Sequence, residues 1–63
     1  MEKYTLFELR KKHGLRQWEV AEKLGICTRT YSLWEQGKRQ PRLSSLRKIA
    51  EFYDILIDSL DIK

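Results

Sequence analysis

Apolar residues recur three and four positions apart through most of this chain, and nowhere alternate as they do along a half-buried strand. A first helix begins after Thr5, a good N-cap, with Glu8 three residues on completing the capping-box pattern. Tyr4 before the cap and Leu9 after it suit a hydrophobic staple. Leu6 and Leu9 face the core, Lys11 and Lys12 sit where cations favour the helix dipole, and Gly14 ends the helix. Leu15 is a core candidate in the connection. A second helix spans 17–24, with Val20, Ala21 and Leu24 inward and Glu19, Glu22 and Lys23 outward. A third spans 28–36, with Gly37 as its stop. The polar loop 38–41 ends in a proline that forbids helix before it. A fourth helix spans 43–53, with Leu46, Ile49, Ala50 and Tyr53 at helical spacing. Asp54 breaks that pattern, and a short last helix over 57–60 brings Ile55, Ile57 and Leu60 inward. The pattern predicts an all-α domain over residues 1–63, with five helices and no strand or repeat.

The stretch 17–36 organises the rest. Its two helices are joined by Gly25-Ile26-Cys27, too short a link to turn the chain back antiparallel, so they must cross steeply. Ala21 supplies a small residue at that crossing, and Gly25 can take the positive φ that ends the earlier helix. Tyr31 and Trp34 are three apart and share one face, which predicts that they anchor their helix from beneath. Thr28, Arg29, Ser32 and Leu33 then form its outer face. This is helix-turn-helix geometry, whose second helix suits the DNA major groove. Stacking of Tyr31 and Trp34 on single strands is the weaker reading of those rings.

Composition narrows the classes. A chain of 63 residues buries only roughly 60% of its unfolded surface and has no room for both a catalytic cleft and a scaffold. A single cysteine excludes an internal disulfide and fits a reducing compartment. No Cys/His cluster exists to hold a metal. No Ser/His/acid arrangement or phosphate-cradling glycine loop is present, so we expect no enzyme and no cofactor. No apolar run approaches the ~20 residues of a membrane span. The start, MEKYTLFELRKK, lacks the apolar core of a signal peptide, so a cytoplasmic protein without membrane contact is expected. Net charge is +4, unevenly spread: residues 1–48 carry twelve Lys and Arg against five Glu (+7), and 49–63 one Lys against four acids (−3). That asymmetry fits a basic face for a polyanion with an acidic end turned away, or simply a solvated surface.

Leu9-Arg10, Gln17, Ala21, Leu24-Gly25-Ile26, Trp34-Glu35, Gly37-Lys38-Arg39, Pro41, Leu46, Ile49-Ala50 and Leu60 together resemble the Cro/CI-type (XRE-like) helix-turn-helix domains of phage repressors and bacterial regulators. The resemblance implies a compact five-helix bundle of the lambda-repressor-like type. It also implies operator binding to double-stranded DNA, usually as a homodimer on a two-fold symmetric site. By that resemblance Gln17 is a phosphate contact, Thr28, Arg29, Ser32 and Leu33 face the groove, and Lys38 and Arg39 clamp the backbone. Arg10 and Glu35 match a pair that ties the first helix to the third. A physical argument agrees: both sit beside core positions, and a half-buried charge needs a partner.

The chain departs from that pattern where Ser or Thr normally caps a helix: position 16 is Arg, 27 is Cys and 56 is Leu. A missing N-cap costs a helix about 1 kcal/mol. Glu19 and Asp58 are placed to compensate, and Thr28 can cap one residue late. Arg16 and Arg42 are cations where the helix dipole disfavours them; a docked phosphate reverses that sign. We read both as phosphate contacts that trade a little stability for binding, against solvated arginines. Arg29 is the best candidate for base readout, through the O6 and N7 of guanine. Leu33 suits a thymine methyl, or is a plain surface leucine. Trp18 falls off the apolar stripe of its helix; partial burial over the core end is the favoured reading, contact along a DNA backbone the other. Cys27 reads as turn filler and His13 as surface.

The leading expectation is a sequence-specific DNA-binding repressor controlled by concentration, a partner or degradation, with no small-molecule ligand. The alternative is a protein-interaction module of the same fold, antitoxin-like or an anti-repressor partner. It rests on the apolar end Ile55-Leu56-Ile57…Leu60…Ile62, which exceeds what one short helix buries. Leu56 and Ile62 are the expected dimer contacts.

Overall fold

The computed structural model describes residues 3–61, so Ile62 lies outside the described residues. Four α-helices run in chain order: α1 over Leu6–Lys12, α2 over Gln17–Leu24, α3 over Thr28–Glu35 and α4 over Leu43–Tyr53. The expected fifth helix is a single 3-10 turn, Ile57–Ser59. Leu60 leaves it in extended backbone and pairs with Tyr4. The Tyr4 N–H donates to the Ser59 carbonyl at 2.8 Å, and the Asp61 N–H donates to the Tyr4 carbonyl at 2.8 Å. This one-residue parallel bridge ties the two ends of the described chain together. It was invisible to periodicity, because a pairing one residue long has no alternation.

Local chemistry explains most boundaries. Both halves of the Thr5/Glu8 capping box form at α1. At α2 Arg16 has no acceptor to offer, so only the reciprocal half exists: the Glu19 carboxylate accepts the Arg16 N–H at 2.9 Å. The expectation that Thr28 caps α3 one residue late is corrected. Cys27 is the N-cap, extended and without a side-chain capping bond. Leu56 likewise starts the 3-10 turn uncapped, and Asp58 lies within that turn. Helix α3 stops at Glu35 rather than Gln36, because Gly37 takes φ 74° and the Lys38 N–H closes back onto the Leu33 carbonyl. Gly25 does the same for α2 at φ 72°, with the Ile26 N–H on the Ala21 carbonyl. A Cβ at Gly25 would meet nothing within 4 Å. Glycine is therefore favoured there by backbone conformation rather than by crowding.

One core joins all the elements. Leu6 and Leu9 of α1, Val20, Ala21 and Leu24 of α2, Tyr31 and Trp34 of α3, and Ile49, Ala50 and Tyr53 of α4 are buried together with Leu60. Leu15, Leu46, Ile55 and Ile57 pack partly buried against it. Trp18 does not: it is 53% exposed, which corrects the expectation of partial burial over the core end. At about 100° per residue it stands a quarter-turn away from the stripe centred between Ala21 and Leu24.

Candidate nucleic-acid interface

Helix α3 is held from below. Tyr31 is 0% and Trp34 7% exposed, with their rings edge-on at 6.4 Å. Half a turn around the same helix, Thr28 and Arg29 are exposed and Ser32 and Leu33 half-buried at the rim. The Gln36 amide donates to the Ser32 hydroxyl at 3.1 Å, so Ser32 is already oriented by its neighbour one turn on. Their four-residue spacing was a legible signal for that bond. Cys27, exposed at the start of α3, has its Sγ 3.4 Å from the Thr30 hydroxyl. Bonding to Thr30 and its backbone holds the thiol below the usual cysteine range, with a smaller contribution from the Arg29 charge.

Cations stand in the segments next to these helices. Arg16 precedes α2, Arg42 precedes α4, and Lys38 and Arg39 lie in the loop after α3. All four are exposed. None is paired with an acid: among the described residues the sole ion pair is Arg10–Glu35. Exposed cations without an acid partner keep their full attraction for a polyanion.

That ion pair is the strut behind the face. Arg10 donates from Nε to Glu35 Oε2 at 2.6 Å and from a terminal nitrogen to Oε1 at 3.2 Å. Its other terminal nitrogen donates to the Leu15 carbonyl at 3.0 Å. The two side chains are only 11% and 5% exposed. Burial pushes the Glu35 carboxyl up, but the hydrogen bonds from Arg10 and Gln17, together with the nearby Tyr31 hydroxyl, outweigh it and hold it below the usual carboxylate range. The Glu35 bond in turn raises Arg10. The hydroxyls of Tyr31 and Tyr53 are buried close by without a well-aligned hydrogen-bond partner. Burial pushes both phenols up, so they stay neutral.

One bond in this network was not legible in the sequence. The Gln17 amide donates from Nε2 to Glu35 Oε1 at 3.1 Å, from the first residue of α2 to the last of α3. An amide nitrogen has two hydrogens. The one left over, and the backbone N–H of Gln17, remain for an anion at the start of α2.

A helix-turn-helix family model matches residues 6–60, and the chain belongs to that family, in its Cro/CI-type (XRE-like) branch. It is 38% identical over 53 residues to the cryptic phage CTXphi transcriptional repressor RstR of Vibrio cholerae, covering 84% of this chain and 48% of that protein. It is also 38% identical over 55 residues to the transcriptional activator BcrR of Enterococcus faecalis, covering 87% of this chain and 27% of that one. The crystal structure of a transcriptional regulator from Listeria innocua superposes with a TM-score of 0.80 at 34% identity, over 84% of this chain and 50% of that one. The chain thus spans half or less of the length of these relatives. No helix among the described residues is long and apolar enough to cross a membrane.

Proposed function

We propose that this domain is the reading head of a sequence-specific transcriptional regulator of double-stranded DNA, with α3 lying in the major groove. The observation that carries the reading is the division of α3: buried Tyr31 and Trp34 beneath, exposed Thr28 and Arg29 above, with exposed, unpaired cations in the segments that flank the helices. Thr28, Arg29, Ser32 and Leu33 then meet base edges. Arg16, Gln17, Lys38, Arg39 and Arg42 meet phosphates and fix the register. Repression by operator occupancy is the simplest mode, since blocking polymerase needs no further contact surface. The names of the relatives support a regulator and include both signs of control.

We further propose a homodimer on a two-fold operator, formed through the end of the chain. Leu56 is 68% exposed and sits beside a shallow groove shared with Ile55 and Ile57. An apolar side chain that open is what a partner surface covers. The same groove supports the second reading, a module that holds another protein.

A gel shift with random-sequence duplex across a salt series tests the proposal. Affinity should fall with a log–log slope near −0.9 per phosphate neutralised, so the four cationic phosphate contacts per protomer give roughly −3.6. Selection of bound duplexes from a random pool should then return a symmetric site, and Arg29→Ala should relax one guanine position at a cost of about 1–3 kcal/mol. No binding at low salt would sink the reading and leave the protein-interaction module.

A further inference from the structure

We propose that Trp18 is a DNA-backbone contact of this domain, a flat apolar plate laid along the sugars beside the phosphate held at the start of α2. The inference rests on the groove-reading proposal above. Among the exposed large rings, Phe7 is covered by the guanidinium of Arg10 at 5.4 Å and the ammonium of Lys11 at 5.6 Å. Trp18, at 53% exposure, has no ring stacked on it and no cation over it among the described residues. Its indole N–H makes no hydrogen bond among the described residues either, though Trp usually finds a partner for that group when it is covered. A side chain that leaves about half of its roughly 150–250 Å² of surface and its one donor unused by the fold suits a surface that is apolar with acceptors at its edge. A sugar-phosphate backbone is such a surface.

Position decides between that occupant and a protein. Trp18 is the second residue of α2, directly after the exposed Arg16 and the Gln17 whose spare amide hydrogen is free. Of the acids of α2, Glu19, next in the chain, is folded back onto the Arg16 N–H, and Glu22 lies one turn further from the helix start. The plate therefore adjoins cationic and donor groups at the start of α2, whereas the acids of the chain are concentrated in residues 49–63, which carry −3. A protein partner would be expected at the apolar Leu56 end instead.

Trp18 then adds affinity without adding charge. Covering about half of an exposed indole corresponds to roughly a tenfold gain in affinity, equal on all sequences. Its salt signature separates it from the arginines: Trp18→Ala should weaken binding about tenfold with the log–log salt slope unchanged, while Arg16→Ser should flatten that slope by about 0.9.

The test uses the whole chain and a random-sequence duplex at low salt. Acrylamide quenching reads Trp18 directly, because Trp34 is buried and supplies the shielded background. Binding of duplex should abolish most of the quenchable emission, and Trp18→Ala should remove that emission from the free protein. A complex in which Trp18 stays as quenchable as in the free chain overturns the contact and leaves the regulator intact. So does an alanine variant with parental affinity, or one whose salt slope flattens. A parent chain that binds no duplex at low salt overturns the contact and the regulator together.

Discussion

Removing Arg10 while keeping its volume, as in Arg10→Met, should nearly unfold the domain at neutral pH. Glu35 would remain only 5% exposed, with Gln17 as its one remaining well-aligned hydrogen-bond donor. Breaking a buried pair in this way costs about 3–5 kcal/mol. A domain of 63 residues has roughly 3–9 kcal/mol in total, so the loss is a large share of it. At about 4–8 °C per kcal/mol for a domain of this size, Tm should fall by at least about 12 °C. The pH dependence carries the sharper test. In the parent, the Glu35 carboxyl is lowered, so its contribution is present above the unfolded carboxylate range and is lost as pH falls through the folded value. In Arg10→Met the largest lowering influence is gone and burial is opposed only by Gln17 and the nearby Tyr31, so the folded value rises relative to the parent. The variant therefore loses the stability that the parent gains from ionised Glu35 above the carboxylate range. The gap between parent and variant should therefore widen from about pH 4 to pH 7. The double variant Arg10→Met with Glu35→Leu should recover most of the loss, because no buried charge remains. Thermal unfolding followed by circular dichroism at both pH values measures all three proteins. A gap under about 1 kcal/mol, or one that does not change with pH, would show that the pair behaves like a surface pair and is no strut.

Three other outcomes follow from the same structure. Gly25→Ala should cost only about 1 kcal/mol in urea unfolding, because the φ of 72° is strained for alanine while the space around it is open. Arg16→Ser and Arg42→Ser each install an N-cap where none exists and should stabilise the free domain by about 0.5–1 kcal/mol. Each should also weaken duplex binding equally on all sequences; a variant binding as tightly as the parent refutes the phosphate assignment. Leu56→Lys should abolish the dimer in light scattering with little change in Tm, since the side chain is already largely in solvent; a parent that is monomeric at high concentration removes that proposal.

The sequence by itself determined the helices, the turn and the face that is buried. Val20, Ala21, Leu24, Tyr31 and Trp34 lie inside because spacing along a helix sets angle around it, and Thr5, Gly25 and Gly37 set boundaries through caps written in adjacent residues. Those are local rules, and a linear reading carries them. What only tertiary structure decided were the events between residues far apart in the chain. Tyr4 pairing with Leu60 replaced the last α-helical turn with a 3-10 turn and an extended residue. Gln17 turning to Glu35, eighteen residues on, made a residue read as a phosphate contact part of the Arg10 strut as well. Trp18 was misjudged for a related reason. Periodicity places a side chain on a face, but whether a neighbouring element reaches over to cover it depends on how the helices cross, and that is set by the packing of the whole core.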